Sequence, residues 1–121
     1  MSQNQNSKLY DLGERTFQFA KKTTLYVKDL PKSISILEYS RQVINSSGSV
    51  GANYIEANEA LSKKGFAMRV KICRKEAKES AYWLRLIVET NEERWRQEGK
   101  ILFSEALELK RIFSSILGKA K

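Results

Sequence analysis

Apolar side chains recur every three to four residues along most of this chain, and that spacing predicts amphipathic helices. Four such segments are separated by short breaks, and we predict helices over about residues 10–29, 33–61, 66–90 and 100–117. Short connections between long helices favour antiparallel neighbours. The pattern therefore predicts an all-α fold, an antiparallel up-down-up-down four-helix bundle.

The helix ends carry start and stop signals. The first helix is expected to end at Leu30-Pro31, because the residue before proline is disfavoured in the α conformation. Ser33 or Ser35 is suited to cap the second helix, and Gly118 is suited to end the fourth. We expect residues 1–8 to be a disordered tail, residues 9–118 to form the bundle, and residues 119–121 to be a short basic tail.

The second helix has almost no charged surface. Residues 42–55 contain no charged side chain. Two apolar lines run along the helix, one formed by Leu37, Ile44, Gly48, Gly51 and Ile55, the other by Val43, Val50, Tyr54, Ala57 and Leu61. A helix that is apolar around most of its circumference is normally covered on several sides, and interior glycine costs about 1 kcal/mol relative to alanine. We therefore expect self-association rather than a lone, tightly packed monomer.

Composition removes several classes of chemistry. The 121 residues include no histidine and one cysteine, Cys73, so there is no imidazole for a general base or metal ligand and no thiolate cluster for zinc. Cys73 falls on the apolar line of the third helix, and we interpret it as a small core residue. We expect no catalytic residue, no cofactor and no metal. The polar start and the lack of a long apolar segment favour a cytoplasmic protein with no membrane partner.

Positive charge is concentrated on the third helix. The chain has 22 basic and 14 acidic residues, a net charge of +8, and residues 63–85 alone hold eight basic and two acidic residues, or +6. Six cations share one face of this helix with no acid between them: Lys64, Lys71, Arg74, Lys75, Lys78 and Arg85. Like charges four residues apart repel, and a row of unpaired cations is typical of a surface that meets phosphates. These six are our candidate nucleic-acid-binding residues.

The same basic face is also compatible with a solvated surface, or with one that forms ion pairs with acidic residues of another helix or subunit. The sequence shows no recognisable array of side chains that would read base edges or stack bases. Any binding of nucleic acid is therefore expected to be nonspecific or based on shape.

A polar group is expected between the second and third helices. Asn53 and Glu56 share a face of the second helix, while Glu76 and Glu79 lie on a largely apolar strip of the third. We predict that these four form an interhelical network that sets the register of the two helices. The alternatives are a carboxylate metal site, although the Glu-x-x-His pairs of di-iron bundles are absent, and a glycosidase-like acid and base pair.

Two segments resemble a known bacterial family. They are residues 46–57 (SSGSVGANYIEA) and 72–86 (ICRKEAKESAYWLRL), and the ending at residues 105–109 (EALEL) and 112–117 (IFSSIL) agrees in order and spacing. The family is that of four-helix-bundle proteins whose members include the proteins encoded by intervening sequences of 23S ribosomal RNA genes. The resemblance extends over nearly the whole chain.

The resemblance implies an antiparallel four-helix bundle that assembles as a homopentamer. It also implies kinship with the accessory protein of diversity-generating retroelements, a basic pentameric bundle that binds nucleic acid and a reverse transcriptase. The resemblance implies no enzymatic activity and no catalytic residue, because many members of the family have no assigned function.

The leading hypothesis is a non-enzymatic homo-oligomer whose basic face contacts RNA or another nucleic acid. The family resemblance implies that this oligomer is a pentamer. A reverse transcriptase or another protein is a further candidate partner. The alternative is a protein–protein interaction module that docks an acidic partner through the same face, with no role for nucleic acid.

Overall fold

The computed structural model describes residues 11–119, and within that range the chain forms four α-helices joined by short connections. They are α1 (Leu12–Lys28), α2 (Ile34–Asn58), α3 (Lys63–Glu89) and α4 (Arg96–Lys119), with a single 3₁₀ turn at Glu93–Trp95 before α4. No strand occurs between residues 11 and 119. The predicted all-α fold and four-helix bundle are confirmed. The expected tail at residues 1–8 lies outside the described residues, as do residues 120–121 of the expected basic tail, whereas Lys119 belongs to α4.

Contacts between α2 and α3 show that these neighbours run antiparallel. Ser46 Oγ lies 2.8 Å from Ser80 Oγ, and further along α2 the Asn53 side chain accepts a hydrogen bond from Arg69, which lies earlier in α3. As the residue number rises on one helix it falls on the other, which requires opposite directions.

The first and last helices, α1 and α4, also run antiparallel. Arg15 donates two hydrogen bonds to the carboxylate of Glu105, at 2.7 and 2.8 Å, whereas Tyr26 near the end of α1 reaches the Trp95 carbonyl oxygen just before α4. Packing is most extensive between α2 and α3 and between α3 and α4, and α1 is held by α2 and α4. In this arrangement α1 lies diagonally across the bundle from α3.

Serine side chains begin two of the helices. Ser33 Oγ accepts a hydrogen bond from the Ile36 amide at 3.1 Å, and Ser62 Oγ accepts one from the Gly65 amide at 3.0 Å. Each bond satisfies an amide that has no partner in the first helical turn. Ser33 is one of the two caps predicted for α2. The cap at Ser62 starts α3 three residues before the predicted start at Phe66.

One apolar face of each helix supplies the core, whereas the predicted α2 line with Leu37, Ile44 and Ile55 remains exposed. Leu12, Phe19 and Tyr26 of α1 and Leu30 just beyond it are buried, and Val43 and Val50 of α2 are inaccessible to solvent. The other apolar side chains that are inaccessible to solvent come from α3 and α4: Val70, Cys73, Ala77, Leu84, Ile87, Ala106, Leu109 and Phe113. The polar side chains of Thr23 in α1 and Ser47 in α2 are also inaccessible. The prediction of Cys73 as a core residue is confirmed.

Helix α4 begins four residues earlier than predicted and continues through Gly118, which was expected to end it. The early start has a tertiary cause. Tyr26 donates a hydrogen bond of 2.7 Å to the Trp95 carbonyl oxygen, and the half-buried Trp95 ring packs against the core. Burial, with a smaller effect from the Glu98 charge, raises the pKa of Tyr26 to about 12, so the phenol remains a donor over the whole neutral range.

No helix in residues 11–119 combines the length and the apolar character that a membrane crossing needs.

Side chains of α1 and α3 pack closely against α4 at Gly99. A methyl group added there would lie 2.5 Å from Val88 Cγ2 and closer still to the Tyr26 hydroxyl, which is held by its bond to Trp95. Only glycine fits at this position without movement of its neighbours.

Gly99→Ala should therefore destabilise the fold by about 1–3 kcal/mol, the usual cost of overpacking a core. The measurement is urea unfolding followed by circular dichroism at one protein concentration. Gly118→Ala is the matched control, because an added methyl group there meets no atom within 4 Å and helix propensity alone should leave stability equal or slightly raised. Equal unfolding midpoints for the two variants would contradict this role of Gly99.

Candidate nucleic-acid interface and self-association face

The six predicted cations lie along one outward line of α3, and we call them the basic stripe: Lys64, Lys71, Arg74, Lys75, Lys78 and Arg85. Five are exposed and Arg74 is partly exposed. At 1.5 Å rise per residue the stripe is about 30 Å long. Its side chains are free to reach a ligand because α3 turns its opposite face toward the core.

Two members of the stripe have acidic neighbours on their own helix. Lys75 Nζ lies 3.7 Å from Glu79, and Arg85 donates a 2.9 Å hydrogen bond to Glu89. Both are exposed pairs between residues four apart, and such pairs are weak and easily exchanged for another anion. The prediction placed no acid among the six cations, and Glu79 and Glu89 flank the stripe rather than interrupt it.

The other four members, Lys64, Lys71, Arg74 and Lys78, form no ion pair with any residue between 11 and 119. They include the repelling pair Arg74 and Lys78, one turn apart. Because these four cations are unpaired within the described chain, an anionic ligand can bind them without first breaking an internal ion pair.

An aromatic cluster borders the stripe. Tyr82 lies on the same line of α3, is 60% exposed and meets Trp83 edge to face, with ring centroids 5.1 Å apart and planes at 79°. Trp83 in turn lies against Tyr39 of α2, at 6.0 Å and 30°. Sequence reasoning missed this cluster. Tyr82 and Trp83 are adjacent in the sequence, but the support from Tyr39 depends on how α2 and α3 are rotated against each other.

The expected polar network is not seen. Between residues 11 and 119 no hydrogen bond joins any two of Asn53, Glu56, Glu76 and Glu79. Glu56 is exposed and Glu79 pairs with Lys75. Burial, followed by the nearby charge of Glu79, raises the pKa of Glu76, while Lys75 lowers it.

Smaller contacts take the place of that network. The Ser46 and Ser80 hydroxyls share a buried hydrogen bond of 2.8 Å, and Asn53 binds the Ser49 carbonyl oxygen on its own helix and Arg69 on α3. The predicted network does not form because of how α2 and α3 are rotated about their own axes. The α2 face that meets α3 carries Ser46 rather than Glu56, so the carboxylates stand at the edge of the interface instead of inside it.

Cys73 has the environment of an unreactive thiol. It is fully buried, its sulfur lies 3.4 Å from the Val50 carbonyl oxygen, and burial raises its pKa to about 12. A thiol that remains protonated at neutral pH is a poor nucleophile and metal ligand. Between residues 11 and 119, no three His, Cys, Asp or Glu side chains are grouped closely enough to hold a metal ion.

The second surface of interest is apolar and lies on α1 and α2. Of one predicted apolar line of α2, Val43, Val50 and Ala57 are buried, whereas Leu61 lies beyond the end of the helix and is exposed. Of the other line, Leu37, Ile44, Gly48 and Ile55 face outward. We call this exposed surface the α1/α2 face, formed by Phe17, Leu37, Ile44, Gly48, Ala52 and Ile55. Its large side chains are well exposed: 59% for Phe17, 62% for Ile55 and 42% for Ile44. A shallow depression of about 270 Å³, lined by Gly48, Ala52 and neighbouring residues, lies in this face.

The two glycines of α2 differ in what surrounds them. A methyl group added at Gly51 would lie 3.1 Å from Thr16 Oγ1, so Gly51 allows α1 to approach α2. A methyl group added at Gly48 would meet no atom within 4 Å. Packing within the described chain therefore accounts for Gly51 but not for Gly48.

Comparison with known proteins agrees with the fold. A solved structure, described as a protein of unknown function from the S23 ribosomal protein family of Bacteroides thetaiotaomicron, is 27% identical and superimposes with a TM-score of 0.71. The alignment covers 87% of this chain and 96% of that one. No curated protein matches the sequence. The model of the family described as 23S rRNA-intervening sequence protein matches residues 9–115, so the chain belongs to that family, as its motifs predicted.

Proposed function

We propose that this protein is a non-enzymatic homo-oligomer that binds RNA through the basic stripe of α3. The observation that carries the proposal is the line of exposed cations on α3, four of which have no acidic partner within the described residues. Cations that neutralise phosphates release the counterions condensed on a nucleic acid, and this release supplies most of the affinity of nonspecific binding. The family description refers to 23S rRNA, which makes RNA the first polyanion to test.

Oligomerisation is supported by the α1/α2 face. Its exposed side chains are large and apolar, and contiguous patches of this kind mark interaction surfaces. Gly48 in the middle of α2 costs about 1 kcal/mol relative to alanine, and no contact within the described chain accounts for it. A second copy that packs against Gly48 would explain both the apolar residues and the absence of a side chain.

The proposed assembly has consequences for binding. Closed rings are a common outcome when one surface meets a different surface of the next copy, and the family resemblance implies five copies. A single stripe offers few phosphate contacts, but several copies held together present their stripes at high effective concentration, which raises the overall affinity. Because α3 is diagonal to α1 in the bundle, burial of the α1/α2 face does not by itself cover the stripe.

Gly48→Leu should dissociate the oligomer, because a branched side chain would occupy the space that the second copy needs. The measurement is light scattering coupled to size exclusion at micromolar concentration, where the variant should approach the 13.9 kDa of one chain. Gly118→Leu is the matched control, since Gly118 is also helical with open space around it. A wild-type protein of monomer mass, or a Gly48→Leu variant of wild-type mass, would contradict the proposed interface.

Neutralising the unpaired part of the stripe should weaken RNA binding and its salt dependence. The triple change Lys71→Gln, Arg74→Gln and Lys78→Gln removes three cations that have no ion pair within the described residues. The slope of log affinity against log salt should fall by about 2–3, since each phosphate contact contributes about 0.7–0.9. Fluorescence anisotropy with a labelled RNA of mixed sequence measures both affinity and slope.

The matched control removes the same charge from elsewhere, with Lys22→Gln, Lys28→Gln and Lys119→Gln, all exposed positions off α3. This variant should keep nearly the wild-type slope. Equal losses for the two triple variants would show that net charge alone is responsible and would contradict the stripe. If the wild-type protein does not bind RNA but binds an acidic protein, the alternative of a protein–protein interaction module is favoured.

A further inference from the structure

We infer that Tyr82 is a stacking platform for an unpaired nucleobase, and that the stripe therefore prefers single-stranded nucleic acid to duplex. The inference rests on the proposed function, because it specifies the form of polyanion that the basic stripe accepts. It is carried by the position, exposure and support of the Tyr82 ring.

The position of Tyr82 places a ring between two cations. On α3 it follows Lys78 by four residues and precedes Arg85 by three, and residues at these separations are neighbours on a helix surface. A nucleotide whose base meets the ring would have its two flanking phosphates near Lys78 and Arg85. Arg85 would exchange its exposed pair with Glu89 for a phosphate.

The exposure of Tyr82 is not explained by packing within the chain. The ring is 60% exposed, it lies outside the hydrophobic core, and its hydroxyl makes no hydrogen bond to another residue between 11 and 119. Trp83 and Tyr39, in contrast, are partly buried and pack against the core. Tyr82 is the outermost ring of this cluster of three.

The support of Tyr82 limits its freedom. The edge-to-face contact with Trp83 at 5.1 Å restrains one side of the Tyr82 ring, and Trp83 is itself held against Tyr39. At most one face of the Tyr82 ring is covered in such a contact, so the other remains open. A ring that is held in place and open on one face loses little conformational entropy when a base stacks on it.

Duplex nucleic acid cannot use this platform, because its bases are already paired and stacked within the helix. It would meet the stripe through phosphates alone. Single strands offer unpaired bases, and base–aromatic stacking is tolerant of sequence because every base has a flat face. The expected result is a preference for the form of the strand rather than for its sequence.

The test compares Tyr82→Leu, which keeps apolar bulk but removes the aromatic face, with Tyr82→Phe, which keeps the face. Labelled single-stranded RNA, single-stranded DNA of the same sequence, and the corresponding RNA duplex are titrated at one salt concentration. We expect Tyr82→Leu to lower single-strand affinity by about 5- to 140-fold, the range for one stacked base. Duplex affinity should change less than about twofold, because a duplex has no base to stack on the ring. Tyr82→Phe should behave as wild type.

A loss of single-strand affinity with either sugar supports the inference, because stacking needs only the base. Three results would overturn it: unchanged single-strand affinity in Tyr82→Leu, an equal loss for single strand and duplex, or an altered oligomer mass in that variant, which would place Tyr82 in a subunit contact. The triple stripe variant separates the two proposals. If it loses binding while Tyr82→Leu does not, only the stacking inference fails; if the wild type binds no nucleic acid, the proposed function itself fails.

Discussion

Close packing of α2 against α3 depends on small side chains at their contact. Ser46 and Ser80 share a buried hydrogen bond, and Cys73 lies against the Val50 carbonyl oxygen. Each of these side chains is small enough to let the two helices approach, and the paired hydroxyls avoid the cost of burying an unpartnered polar group. Larger residues at these positions would separate the helices and change which faces point outward.

That contact determines which two surfaces of the bundle are available to partners. With Ser46, Val43 and Val50 turned inward, the line of Ile44, Gly48 and Ile55 turns outward. On α3, burial of Cys73 and Ala77 places the basic stripe and Tyr82 on the opposite, exposed side. An apolar surface and a basic surface on different sides of one bundle are compatible with assembly and ligand binding at the same time.

Features that depend on the residue spacing within a single helix could be predicted from the sequence. Leu12, Phe19 and Tyr26 recur every seven residues on one face of the predicted first helix, and all three are buried. The position of the basic stripe on α3 followed from the same rule. The pairing of Arg85 was equally local but was missed, although Glu89 lies four residues later on the same face.

What depends on the relation between two helices could not be predicted in the same way. The network of Asn53, Glu56, Glu76 and Glu79 required α2 and α3 to meet at one particular rotation, and the spacing within each helix does not specify it. The early start of α4 has the same origin, because Tyr26 reaches Trp95 from a position 69 residues away. The aromatic support of Tyr82 by Trp83 and Tyr39 belongs to this class as well.

Charge repulsion couples the two proposed properties. The pairs Lys71–Lys75 and Arg74–Lys78 cost about 0.2–0.5 kcal/mol each by helix measurements, a small part of the roughly 5–15 kcal/mol that stabilises a domain. One chain can therefore carry the stripe without a ligand. Each added copy, however, brings a further net charge of +8, and the repulsion must be offset by burial of the α1/α2 face or by bound anions. A polyanion that spans several stripes lowers this repulsion, and by thermodynamic linkage whatever favours assembly then also favours binding.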